Sequence, residues 1–266
     1  MIRINQTGLK SFVFYVSSFV LLTLFIYLGI PFFFDYKNNQ SDLERKIFEN
    51  FDLNLSITSK VKYNIFPSPR LNLKDVEFLG FTESSKNIGS VKKVILKIPF
   101  KKLVSLKKLD FDSIELIDAV INIKTSEIND FKKYLNDKAR EKPIQLTKSK
   151  INLLDKTKLL FNIDIKKLRI SGKSLFNKLD LKGRIFDTKI EINYQNKNFN
   201  KNSEKNVEIW LPEIGLNSKL SINPDKKNNE TIYGRVSVFF PSNQIYLDYI
   251  LRNKIFNISS SRLTNN

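Results

Sequence analysis

The chain of 266 residues contains neither cysteine nor histidine. Without cysteine it has no thiol nucleophile, disulfide, iron–sulfur cluster, Cys-ligated zinc or lipoprotein anchor. Without histidine it has no Ser–His–Asp triad and no imidazole metal ligand. Carboxylates are the remaining route to acid–base catalysis, and Asp110 and Asp112 are a candidate pair. We interpret these two as strand acids beside lysines, and we expect no enzymatic activity, no metal and no cofactor.

A long apolar run is the first feature that the sequence does have. Residues 12–34 form 23 positions without a charged side chain. As a helix they span about 35 Å, enough for a hydrocarbon core of about 30 Å. A cleaved signal peptide would have a shorter apolar region and a small-residue cleavage site, whereas the first alanine of this chain is Ala119. We therefore predict that residues 1–34 are a short stub and an uncleaved transmembrane helix.

The charges around this run do not fix its orientation. The nearby basic residues are Arg3 and Lys10 before it and Lys37, Arg45 and Lys46 after it. Because the positive-inside rule counts only lysine and arginine, the two sides nearly balance. We expect the N-terminus in the cytoplasm and residues 35–266 outside it.

Residues 35–266 are predicted to form one β-rich domain with two short helices. The first helix follows Ser41, which with Glu44 has the spacing of a capping box. The second is predicted over residues 126–139. Alternating apolar and polar residues predict about a dozen strands, with a Pro-containing turn at 67–70 and one long strand at 179–194. The Asn- and Lys-rich segment 195–206 is predicted to be a loop.

One spacing recurs three times. In each copy, four apolar residues follow one another at separations of two, three and two positions. The copies are Leu71, Leu73, Val76, Phe78 and Gly80; Leu109, Phe111, Ile114, Leu116 and Asp118; and Ile163, Ile165, Leu168, Ile170 and Gly172. The extra residue in the gap shifts the two-residue alternation by one. A β-bulge or a sharp bend there would keep both halves facing the same side of a sheet.

Such alternation gives every strand one apolar face, which must be covered. Two short helices are too few to cover about a dozen strands. Either the sheet closes on itself as a sandwich or barrel, or it curls into a trough whose lining is open to an apolar ligand. The residue pattern alone leaves both arrangements open.

Residues 61–78 have the order of strand, Pro-x-Pro turn and strand, and they are followed by a strand at 91–98, a short link at Leu103-Val104 and a strand at 109–123. Together with the preceding membrane helix, this part of the chain resembles the N-terminal region of the AsmA family. The resemblance implies a mainly β fold with an N-terminal transmembrane helix, in which a curved antiparallel sheet forms an open groove. It also implies a single-pass protein of the bacterial inner membrane, with the bulk of the chain in the periplasm.

The function implied by this resemblance is binding or conducting lipid in a hydrophobic β-groove, in support of outer-membrane assembly. The expected partners are phospholipid or another membrane lipid and the inner membrane, with no nucleic acid. The apolar residues expected to line the groove are Leu71, Leu73, Val76, Phe78, Val94, Leu96, Ile98, Phe111, Ile114 and Leu116. The alternative is a bitopic interaction protein, in which a closed β-domain docks on an envelope complex.

The net charge of +18 is compatible with an anionic partner. Seven lysines crowd one stretch: Lys92, Lys93, Lys97, Lys101, Lys102, Lys107 and Lys108. They could contact anionic lipid head groups, or they could be the solvated face of alternating strands. We favour the solvated face, because lysine is abundant throughout this chain.

Overall fold

The structure, a computed structural model, describes residues 6–80, 88–105, 109–129, 142–173, 176–199, 202–224, 231–252 and 255–265. Helix α1 (Gln6–Gly29) continues into a 3₁₀ turn at Ile30–Phe33. Within them, Phe12–Phe33 is long and apolar enough to cross a membrane, with a mean hydropathy of 2.2 and only 6% of it buried. By length and composition this segment fits a membrane anchor and a signal sequence alike.

Helix α2 (Gln40–Phe51) buries Leu43, Ile47 and Phe51 on one side, as the apolar spacing predicts. The predicted capping box is wrong, because α2 begins at Gln40 with no side-chain hydrogen bond at its N-cap. Glu44 instead accepts a hydrogen bond of 2.6 Å from the amide of Ile57. This bond ties α2 to the first strand.

The second predicted helix, over residues 126–139, falls mostly outside the described residues. Its start coincides with a 3₁₀ turn at Thr125–Glu127. The rest of that helix stays a prediction.

Fourteen strands form a single open curved sheet. They are β1 Asn54–Ile57, β2 Lys62–Asn64, β3 Arg70–Gly80, β4 Gly89–Lys97, β5 Ser113–Lys124, β6 Ile144–Asp155, β7 Lys158–Lys173, β8 Phe176–Ile185, β9 Thr188–Phe199, β10 Asn202–Leu211, β11 Leu216–Pro224, β12 Thr231–Phe239, β13 Asn243–Arg252 and β14 Ile255–Asn265. Strands β1 and β2 both pair with β3, and from β3 onward the strands lie side by side in chain order. Every pair is antiparallel except β5 with β6, which is parallel. The predicted fold class is confirmed.

One hairpin agrees with the prediction from the sequence, and another was not predicted. Strands β2 and β3 form the predicted hairpin around the Pro-containing turn, with Tyr63 opposite Leu71. The predicted long strand at 179–194 is wrong, because Phe186 and Asp187, at φ 48° and 63°, form a two-residue turn between β8 and β9. The predicted loop at 195–206 is also wrong, since β9 and β10 extend through most of it.

Ion pairs between directly opposed residues match the register of four neighbouring strand pairs. The pairs are Lys150–Asp164 at 3.1 Å, Lys182–Glu191 at 2.8 Å, Glu208–Lys219 at 3.2 Å and Arg235–Asp248 at 2.6 Å. A slip by one residue would break each pair and turn the apolar side chains to the opposite face. The charges therefore support the same register as the apolar pattern.

The recurring spacing marks an interruption of the ladder in two of its three copies. In the first, Asp75 takes a left-handed conformation (φ 49°), and the β3–β4 ladder skips Asp75 and Lys92 together without a register shift, which is a local bend. In the third, the β7–β8 register shifts between Ile165 and Lys167. In the second, the gap between Phe111 and Ile114 falls at the start of β5, before a bulge can form.

The interruptions of neighbouring ladders line up in one row across β3–β7, which we call the bulge row. The exposed residues skipped by these ladders are Asp75, Lys92, Asp118, Lys148 and Lys166, and only the β7–β8 ladder shifts its register there. Because each strand shifts its alternation at the same level, the apolar side chains stay on one face on both sides of the row.

The closed core occupies the α2 end of the sheet. There α2 and β1 pack together, and the buried side chains of α2 join those of β1 and β3–β6 in one cluster. The Phe51 ring of α2 stacks on Phe111, with ring centroids 6.5 Å apart. At the base of this core Lys142 donates hydrogen bonds to both Asp110 and Asn50, which connects the start of β6 with α2.

Candidate ligand-binding face

Two rows of apolar side chains cross nearly the whole sheet on one face. The first row is Leu71, Leu96, Ile114, Ile144, Ile170, Leu179, Tyr194, Val207, Leu220, Val236 and Leu247, each directly opposite the next. The second is Leu73, Val94, Leu116, Leu146, Leu168, Leu181, Ile192, Ile209, Ser218, Val238, Ile245 and Leu263. One apolar surface therefore runs from the first long strand to the last.

The cover on this surface changes along the rows. In β3–β6 the row residues are buried. Among the described residues of β10–β14, only Thr231, Ser237 and Tyr249 are buried, and of these only Tyr249 lies on the apolar side. We define the open face as Ile192, Tyr194, Val207, Ile209, Leu220, Val236, Val238, Ile245, Leu247 and Leu263. These side chains belong to the same rows but are only partly covered or exposed.

The ten residues that the sequence analysis assigned to a groove lie in the closed core. Leu71, Leu73, Val76, Phe78, Val94, Leu96, Ile98, Phe111, Ile114 and Leu116 are each at most 2% exposed. They face the predicted side, and they belong to the buried cluster that includes the side chains of α2. Their contact with lipid stays a prediction, and the accessible continuation of the same rows is the open face. The open face could have been predicted from the sequence, because apolar and polar residues alternate in the strands between positions 207 and 251.

Tyr249 makes extensive contacts among the last strands of the sheet. Its ring lies over Gly234, where an added Cβ would approach the ring to 2.3 Å, and its hydroxyl donates to the Ser221 carbonyl at 3.2 Å. Burial raises the pKa of Tyr249. Phe256 of β14 stacks on it, with ring centroids 5.1 Å apart. These contacts hold the last strands in register without adding charge to the apolar side.

The size and chemistry of the open face suit a hydrocarbon ligand. From β9 to β14 the rows extend about 24 Å at the usual strand spacing. An acyl chain occupies about half of a bilayer core, or about 15 Å. Within the two rows, the only polar side chains from β9 to β14 are Tyr194 and Ser218.

The opposite face of the same strands is polar. Hydrogen bonds from Asn217 and Lys219 lower the pKa of Glu208 against the effect of burial. Hydrogen bonds from Arg235 and Ser260 lower the pKa of Asp248. Beside the bulge row, charged residues of this face, including Lys150, line a cavity of about 870 Å³. The polar face is therefore occupied by paired charges, which separates it chemically from the open face.

The two candidate acids, Asp110 and Asp112, have different surroundings. Although burial raises the pKa of Asp110, hydrogen bonds from Lys142 and the Phe111 amide lower it overall. Asp112 is exposed. Within the described ranges, no cluster of three or more carboxylates could hold a metal ion.

Comparisons with known proteins found no match: no family model, no curated protein and no solved structure matches the chain. The resemblance to the AsmA family therefore stays a prediction from the sequence. The functional argument accordingly depends on the two rows and their burial.

Proposed function

We propose that this chain is a membrane-anchored protein that binds or conducts lipid along the open face of its sheet. In this proposal α1 crosses the bacterial inner membrane, and the sheet lies in the periplasm and supports outer-membrane assembly. The location and the link to outer-membrane assembly come from the AsmA resemblance. Lipid binding is supported by the structure of the apolar face.

The continuity of the two rows is the observation that carries the proposal. At the α2 end the rows are covered by the chain itself, and toward β14 they lose that cover while remaining apolar. Since an exposed apolar surface of this extent is unfavourable in water, it is expected to bind an apolar partner. Acyl chains fit because each methylene removed from water contributes about 0.8 kcal/mol.

A protein partner is the second candidate, and β14 is the observation that favours it. On this last strand Phe256, Ile258 and Leu263 are each more than half exposed on the apolar side. An added strand could pair with β14 and cover them. In that case the open face would contact polypeptide rather than lipid.

Photo-crosslinking from opposite sides of one strand tests the proposal. Ile209 belongs to the open face, and its neighbour Trp210 points to the polar face. A benzophenone amino acid is placed at either position in the full-length protein, in cells whose phospholipids are radiolabelled. We expect labelled lipid on the Ile209 variant and little on the Trp210 variant. The Trp210 control is needed because lipids around α1 would co-purify with either variant.

Two results would contradict lipid binding. Equal lipid labelling at both positions would mean that the contact is unspecific, and protein crosslinks without lipid at Ile209 would support the alternative. An independent check is Ile209→Asp, which places a charge among the rows. With the benzophenone amino acid placed at Ile245 of β13, Ile209→Asp should reduce the amount of crosslinked lipid. Trp210→Asp should leave that amount unchanged.

A further inference from the structure

The end of α1 is fastened to the beginning of the sheet by two tyrosines. The Tyr27 hydroxyl donates to the Phe100 carbonyl at 2.5 Å, and the Tyr63 hydroxyl donates to the Leu28 carbonyl at 3.0 Å. The Tyr63 ring also meets Phe32 edge to face, with centroids 4.9 Å apart. The segment around Phe100 is therefore held at a fixed level relative to the apolar helix.

This level lies in the outer part of a bilayer that α1 would cross. Tyr27 lies six positions before Phe33, the end of the apolar span. That is about 11 Å along the axis, because Ile30–Phe33 is a 3₁₀ turn with a longer rise per residue. A span of about 35 Å centred on a hydrocarbon core of about 30 Å places Phe33 about 2–3 Å outside the core and Tyr27 about 8 Å inside it. Because its carbonyl is bonded to Tyr27, Phe100 lies in the outer part of the hydrocarbon, below the head groups, if α1 spans the membrane.

The residues at this level combine exposed apolar groups with lysines. Phe66 is 75% exposed, Phe100 55% and Val104 60%. Lys101 and Lys102 lie between them and are also exposed. The turn that carries Phe66 is joined to this segment, since the amide of Ile98 donates to the Pro69 carbonyl at 2.9 Å. Aromatic and basic side chains together are typical of surfaces that lie in the membrane interface.

We propose that Phe66, Phe100, Lys101, Lys102 and Val104 form a membrane-contact surface. The apolar side chains enter the bilayer that α1 crosses, and the two lysines bind anionic phospholipid head groups. This inference depends on the proposed role of α1 as an anchor, but not on lipid binding by the open face. It places the first strands of the sheet directly on the membrane.

The proposal also divides the lysine-rich stretch of the sequence. Lys101 and Lys102 belong to the membrane-contact surface, whereas Lys92, Lys93 and Lys97 lie within β4. Of these three, Lys92 and Lys97 are exposed on the sheet. Head-group binding is therefore assigned to Lys101 and Lys102, and Lys107 and Lys108 lie outside the described residues.

Single-cysteine labelling tests this surface, because the natural chain has no cysteine. Phe66→Cys, Phe100→Cys and Val104→Cys are each labelled with the fluorophore NBD in the full-length protein. The protein is reconstituted in phosphatidylethanolamine–phosphatidylglycerol vesicles that contain doxyl-labelled quencher lipid. Phe186→Cys is the matched control, because Phe186 is 74% exposed at the other end of the strands. The ten residues of β8 separate Phe186 from the opposite end of that strand by about 33 Å.

We expect strong quenching at positions 66, 100 and 104 and little at 186. A label at Phe19→Cys, within the apolar span, reports on the anchor itself. Quenching at 19 with none at 66, 100 and 104 would overturn this inference and leave the anchor intact. Absence of quenching at 19 as well would overturn both. Lipid crosslinking at Ile209 is measured separately, so failure of the open face is distinguishable from either result.

Charge reversal tests the role of the lysines. A lysine near an anionic membrane surface contributes about 1 kcal/mol, which corresponds to a factor of about five in an equilibrium. Because Lys→Glu changes the charge by two, we expect Lys101→Glu and Lys102→Glu each to shift the equilibrium of the Phe100→Cys label from lipid toward water by the square of that factor, about 25. The shift should occur in vesicles with phosphatidylglycerol and vanish in phosphatidylcholine vesicles. An equal shift in both would overturn the assignment of anionic head groups.

Discussion

The difference in cover between the two ends of the apolar surface can be measured with two phenylalanines. Phe51 of α2 is 1% exposed and stacks on Phe111, while Phe256 of β14 is 56% exposed and stacks on Tyr249. Each is therefore half of an aromatic pair, and their main difference is the amount of solvent contact. We predict that alanine at the two positions has very different effects on the free energy of unfolding.

The magnitudes follow from burial. Phe51→Ala removes a buried ring and leaves a cavity in the closed core, which costs about 3–5 kcal/mol. Phe256→Ala loses mainly its stacking contact, about 0.5–1.5 kcal/mol, because more than half of the ring is already in water. The expected difference between the variants is therefore about 1.5–4.5 kcal/mol.

Urea unfolding of the full-length protein in detergent micelles, followed by far-UV circular dichroism, measures both effects. The comparison uses the midpoint at an unchanged slope, since a changed slope would indicate a different unfolding reaction. Equal losses of stability in the two variants would refute the distinction between a covered and an uncovered end. A ligand on the open face should increase the loss caused by Phe256→Ala and leave that of Phe51→Ala unchanged.

Two further substitutions test individual contacts. Because the pKa of Asp110 is lowered in the folded state, its stabilising effect is present above the ordinary pKa of about 3.9 and is lost as the pH falls through the folded-state value. The urea midpoint of the natural protein should therefore fall more between about pH 6 and about pH 3 than that of Asp110→Asn, and parallel curves would contradict this. Gly234→Ala should destabilise by about 1–3 kcal/mol, because its Cβ would lie 2.3 Å from both the Ser221 carbonyl oxygen and the Tyr249 ring. Gly29→Ala is the control, since nothing lies within 4 Å of its Cβ, and equal melting shifts of the two variants would argue against the close approach at Gly234.

Local patterns predicted much of this fold. The apolar run, the buried side of α2, the hairpin at Tyr63 and the bend at Asp75 all follow from spacing within one or two elements. The turn at Phe186 and Asp187 was missed because it lacks the Asn-Gly or Asp-Gly pair that usually marks such a turn. The bend at Lys148 was missed because β6 itself was not recognised as a strand.

The position of the cover could not be predicted in the same way. Leu71 and Leu220 belong to the same row and have the same side chain, yet the first is fully buried and the second is not. The difference arises from α2, which packs on one end of the sheet through Leu43 and Ile47. Sequence alternation specifies which face a residue occupies, whereas its accessibility depends on packing between distant segments.

The chain-order pairing of the strands makes this sheet almost one-dimensional. From β6 onward each strand is bonded only to its neighbours in the sequence, so every hairpin can join the existing edge as soon as it is synthesised. Lengthening or shortening the molecule by whole hairpins would change the reach of the apolar surface in steps of about 10 Å. The α2 end would keep its structure throughout, so evolution could adjust the span of such a protein without redesigning its core.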